Sequence, residues 1–163
     1  MKCDELKKNV LQTWKFLFSE YNFQILSCQE AERESAVLFL ESTQCRMRFM
    51  SVNYEDELKI DLGSHTATLD WSPNDELIPR NNPNWFSILG LLVYLERNPE
   101  TLLASMGKAK DIKMELPPAA TFLERMAFEA RPHLPKILGW FSQPQYERFR
   151  FDYDIYQSGY GQL

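Results

Sequence analysis

The chain has 163 residues, 44% hydrophobic and 13% aromatic, enough to build one core without help from a disulfide or a metal. A formal net charge of −5 argues against a nucleic-acid-binding face, and the longest apolar stretch, Trp85 to Leu95, is too short to span a bilayer. Three cysteines, Cys3, Cys28 and Cys45, make no disulfide framework; with Met1 leading straight into a charged segment, they read as free thiols of a cytoplasmic protein.

Residues Asp4 to Tyr21 carry helical periodicity, with Leu6, Val10, Trp14, Leu17 and Tyr21 on one face. Asn22 ends that helix, because asparagine tolerates the left-handed conformation. Phe23 to Cys28 then reads as a first strand and Gln29 to Glu34 as a polar loop. From Ser35 to Asp70 the period changes to two. Ala36–Leu40, Cys45–Met50, Leu58–Gly63 and Thr66–Leu69 are the runs of an antiparallel meander, joined by a hairpin loop at Asn53–Glu57 and a tight turn at Gly63–Ser64. In the third run Leu58, Ile60 and Leu62 alternate with Lys59 and Asp61, so one face is expected to be apolar and the other wet. Prolines at 73, 79 and 83 end the sheet. A helix apolar all round is expected from about Asn84 to Arg97, followed by a short one from Asn98 to Met106. Ala119–Arg131 and Leu134–Phe141 supply two further helices, separated at Pro132. The segment 145–157 fits both a strand, with Phe149, Phe151, Tyr153 and Ile155 alternating, and a helix, with Tyr146, Phe149, Tyr153 and Tyr156 aligned.

No pattern for phosphate, nucleotide or serine-nucleophile chemistry is present. Cys3, Cys28, Cys45, His65 and His133 include no closely spaced ligand pair, so neither a metal nor a cofactor is expected. Cys45 with His65 is the one nucleophile–base pair that the meander allows, and as a strand residue far from a helix N-terminus Cys45 is more readily a small core hydrophobe. Arg46 and Arg48 share a strand face; such a pair suits phosphate or carboxylate recognition, or cross-strand pairing with Asp61 or Glu57. Charge is unevenly placed, which serves either ordinary solubility or a cationic partner. Between Gln29 and Arg80 stand eleven acidic and five basic residues, so the meander holds essentially all the negative charge of the chain. Glu55, Asp56, Glu57, Asp61, Asp70, Asp75 and Glu76 are the residues expected to meet a cationic partner.

The succession of Glu20-Tyr21-Asn22-Phe23, Ala36–Glu41, Arg46-Met47-Arg48-Phe49, Ile60-Asp61-Leu62-Gly63 and the Trp85–Leu95 helix resembles a group of small uncharacterised bacterial proteins with a helix–meander–helix layout. More loosely it resembles the immunity proteins of polymorphic toxin systems. That likeness, over residues 4–96, implies inhibition by binding another protein and brings no catalytic residues with it. The expectation is therefore one α+β domain over 1–163: an antiparallel meander of four to five strands packed against an N-terminal helix and a buried central helix, with further C-terminal helices and 143–163 as a peripheral strand or tail. Its expected work is non-enzymatic protein binding through an acidic sheet surface. The alternative is a small-molecule-binding protein or enzyme with its pocket between sheet and helices.

Overall fold

Leucine or isoleucine at every second position from 58 to 62 makes a strand with one wholly apolar face, and this register organises the molecule. A computed structural model describes residues 1–31, 35–51, 58–70, 84–96 and 122–160. In it five strands form one antiparallel sheet in sequence order: β1 (Gln24–Ala31), β2 (Ser35–Glu41), β3 (Arg46–Ser51), β4 (Leu58–Gly63) and β5 (Trp85–Ser87). The chain is an α+β protein, with α1 (Cys3–Thr13) and α2 (Lys15–Glu20) before the sheet. After it come α3 (Ile88–Glu96), α4 (Phe122–Ala130), α5 (Leu134–Phe141) and α6 (Gln145–Tyr160).

The inner face of the sheet presents Leu38, Leu40, Met47, Phe49, Ile60 and Leu62 to Leu6, Val10, Trp14 and Leu17 of the N-terminal segment. Trp14 interrupts what the periodicity reads as one helix: its backbone leaves helical geometry, its ring turns into the core edge-on to Phe49, and its indole N–H donates to the Leu123 carbonyl of α4 at 3.0 Å. Asn22 adopts the expected left-handed conformation, with φ of 57°, and turns the chain into β1.

Several expectations are corrected. The fifth strand is Trp85–Ser87, the start of the segment read as a helix, and α3 begins only at Ile88. Thr66–Leu69 is not a strand; residues 64–70 turn back beneath the sheet. A Cβ on Gly63 would stand 2.7 Å from both Ala67 Cβ and the Asn84 carbonyl oxygen, so this return needs glycine. β1 runs on through Gln29–Ala31, where a loop was expected. The ambiguous segment 145–157 is helical and lies within α6. Cys3 and Cys28 form a disulfide, with Cα atoms 5.9 Å apart, so they are not the thiols inferred from sequence. The pairing depends on α1 lying over β1, which spacing alone does not reveal. The Asn98–Met106 helix, the 53–57 hairpin loop and the turn-rich stretch 72–83 lie outside the described residues.

The C-terminal helices close on one ring system. Phe86 lies edge-on to Phe141, Tyr146, Phe149 and Tyr153, and Trp140 stacks on Phe149 at 5.1 Å. A Cβ on Gly90 would stand 2.8 Å from the Tyr153 hydroxyl, so glycine permits this approach of α3 to α6. No described helix is long and apolar enough to cross a membrane.

Candidate functional site

The face of the sheet that was expected to be wet is closed over its centre. Val37, Phe39 and Met50 form a second, smaller core there with Ala67 and Trp85. Register brings Phe39, Arg48 and Asp61 into one row across β2, β3 and β4. Arg48 donates through Nε to Asp61 Oδ2 at 2.8 Å, and its Nη2 lies 2.8 Å from the same oxygen. The Trp85 ring covers the guanidinium at 4.6 Å, a cation–π contact, and the indole N–H donates to the Thr68 carbonyl at 3.1 Å. Burial pushes the Asp61 carboxyl above its usual range, against the pull of Arg48. Two residues along the same face, Arg46 donates to Glu41 Oε2 at 2.7 Å and to the Ala67 carbonyl at 2.6 Å. Both strand arginines are thus engaged within the fold, the cross-strand alternative of the two that the sequence allows.

This placement revises the acidic surface. Asp61 is 9% exposed and ion-paired, so it does not stand in solvent as the alternation implied. Asp70 is exposed at the end of the returning segment. Glu55, Asp56, Glu57, Asp75 and Glu76 lie outside the described residues. What the register does fix is where the acidic connections attach. Ala31 pairs with Ser35, Ala36 with Ser51 and Ser51 with Leu58, so all these residues stand at one end of the sheet. The connections 32–34 and 52–57 both leave from that end and carry Glu32, Glu34, Glu55, Asp56 and Glu57. Glu30 stands on β1 beside them, exposed, with its Oε1 accepting from the Cys3 backbone N–H at 3.0 Å.

The remaining candidates separate cleanly. Cys45 is wholly buried, and burial raises its thiol to about 12 in spite of a hydrogen bond with Ser42, so it holds no thiolate near neutral pH; His65 is exposed on the turn after Gly63. The sulfur of Cys28 is spent in the disulfide. Among the described residues no group of three or more His, Cys, Asp or Glu converges as metal ligands. The space between sheet and helices is filled by side chains without solvent exposure, including Leu6, Trp14, Leu17, Met47 and Phe49.

Among the described residues, hollows lie on the outside instead. One, of about 330 Å³, opens over the ring system between Tyr94, Trp140 and Phe149, with Lys136, Arg148 and Asp152 at its rim. Another, of about 780 Å³, runs between α1–α2 and α4 past Phe16, Tyr21, Ala127, Phe128 and Pro132. Glu20 and Arg131 bridge it at 2.7 Å. Phe128, 77% exposed, stands off the buried stripe of Leu123, Met126, Ala127 and Ala130. The sequence carried that signal as an aromatic out of phase with its helix.

No protein-family model, no curated protein and no solved structure matches this chain.

Proposed function

We propose that this protein is a non-enzymatic binding module that masks a basic partner protein, in the manner of an immunity protein that blocks a toxin. The partner is drawn in at the acidic end of the sheet. The observation that carries this reading is the fate of the two strand arginines. Arg46 and Arg48 are held by Glu41 and Asp61, so the eleven acidic and five basic residues between Gln29 and Arg80 become nine and three outside those pairs. Two of the five positive charges of the meander are used to close its outer face, and the acidic excess of six that the sequence carries there is unchanged by those pairs. A net negative field of this kind raises the encounter rate with a cation and repels acidic competitors. The disulfide suits a compartment where it stays oxidised, so the reading places the encounter there and not in a reducing cytosol.

Affinity capture from the native host tests the reading, with the wild type and the triple variant Glu55→Lys, Asp56→Lys, Glu57→Lys run side by side. The expected result is a basic protein held by the wild type, released by salt, and associating with the variant about tenfold more slowly at low ionic strength, with melting temperatures unchanged. Equal association rates at low salt, or an acidic protein as the captured species, would overturn it.

A further inference from the structure

We infer that the outer edge of β1 is the docking edge, and that it takes up an extended segment of the partner as an added antiparallel strand, basic in its N-terminal half and apolar in its C-terminal half. This rests on the reading of the protein as a binder of a basic partner. The two edges of the sheet differ. β5 is three residues long, as edge strands often are where pairing must be avoided. β1 is eight residues long and contains neither proline nor lysine. Its one irregularity, between Ile25 and Ser27, leaves an unbroken register with β2 from Ser27 to Ala31. Among the described residues β2 is the only strand paired with β1. An edge strand turns alternate N–H and C=O groups outward, and another extended backbone is the ligand that satisfies such a row.

Side chains pin β1 from both faces and leave that backbone row to a ligand. Cys28 is bonded to Cys3, Glu30 accepts from the Cys3 N–H, and Gln29 Nε2 donates to the Leu69 carbonyl at 2.8 Å. The strand is therefore already held in its binding geometry, which lowers the ordering cost of association. Its side chains set the polarity of the ligand. Ile25 and Leu26 are 37% and 41% exposed at its start, and Glu30 is exposed near its end. Antiparallel addition, the commoner and slightly stronger pairing, sets the N-terminal half of the incoming segment beside Glu30 and the C-terminal half beside Ile25 and Leu26.

The probes are the capped peptide KTKTVTVT and its reverse, TVTVTKTK, titrated into the full disulfide-bonded chain. Amide hydrogen exchange and amide chemical shifts are the readouts. The forward peptide is expected to protect alternate amides of Gln24–Ala31 and to bind about fivefold more tightly than the reverse, a preference that salt weakens. Leu26→Lys, a change at an exposed position, is expected to weaken it about fivefold with the melting temperature unchanged. Protection confined to other elements, equal binding of the two peptides, or no protection at millimolar peptide would overturn the inference. A native partner lost in the charge-reversed triple variant, with β1 amides unprotected in its wild-type complex, would overturn the edge assignment alone and leave the basic-partner reading standing.

Discussion

The two faces of the sheet bury comparable rows of side chains by different means. The centre of the inner face is apolar: Leu38, Leu40, Met47, Phe49, Ile60 and Leu62 meet Leu6, Val10, Trp14 and Leu17, and non-directional burial holds them. The outer face closes Val37, Phe39 and Met50 beneath Ala67 and Trp85, and it includes the Arg48–Asp61 pair. The difference is one of specification. An apolar face tolerates many packings, whereas a buried ion pair tolerates one register. Slipping β4 by one residue against β3 would set Arg48 opposite Ile60 or Leu62 and strand two charges under Trp85. The inner face supplies the larger apolar core, and the outer pair adds a second, directional constraint on how the strands align.

The largest effect should come from the inner face. Trp14→Ala removes a fully buried ring, its edge-on contact with Phe49 and its hydrogen bond to Leu123, which ties the N-terminal segment to α4. We expect a loss of about 3–5 kcal/mol, read as a fall in the urea midpoint. A loss below about 1 kcal/mol would mean that the inner face is not the principal core.

Breaking the outer pair should come next. Arg48→Met leaves the Asp61 carboxylate buried without its cation, and we expect a loss of about 3 kcal/mol at neutral pH. The sign of its pH dependence follows from the carboxyl. Burial already raises the Asp61 pKa above its ordinary 3.8, and removing Arg48 takes away the main influence that lowers it. A group whose folded pKa is raised binds its proton more tightly in the folded state, so it favours folding at low pH and opposes it as pH rises through that pKa. The Arg48→Met penalty should therefore shrink on acidification toward the ordinary carboxylate range. The double variant Arg48→Met, Asp61→Leu should recover most of the loss at neutral pH. Urea titrations at several pH values check both statements, and a penalty independent of pH would show that Asp61 is solvated in the variant.

The comparison also explains what was legible in the sequence. The inner face could be read because apolar residues at every second position of β4, and at helical spacing in α1 and α2, need only themselves as evidence. The outer face could not be read the same way. Lys59 and Asp61 alternate as polar residues, and alternation does not distinguish a carboxylate in water from one under a tryptophan. The cover comes from distant pieces: Ala67 from a turn that looks like a short strand, and Trp85 from three strand residues that lead into the apolar helix α3. The acidic residues suffer a milder form of this limit: pairing of a strand arginine with Asp61 could be read as one alternative, whereas Glu41 as the partner of Arg46 follows only from the register. The place of β1 at the end of the strand order among the described residues was likewise invisible, since strand order is a property of the whole sheet.

The smallest effect tests the cover itself. Trp85→Phe keeps an aromatic ring beside Phe39 and over Arg48 but removes the indole N–H that donates to the Thr68 carbonyl. If the ring's role is to exclude water from the ion pair, the loss should be about 1 kcal/mol, the net worth of one hydrogen bond plus a weaker cation–π contact. The Asp61–Arg48 pair should survive, so the variant should keep the pH dependence of the wild type. A loss as large as that of Arg48→Met, with the acid-dependent recovery described for that variant, would mean that the bond to Thr68 is what holds residues 64–70 under the sheet. The outer face would then depend on a single anchored segment, and strand alignment there would rest on the turn at Gly63 and not on the ion pair.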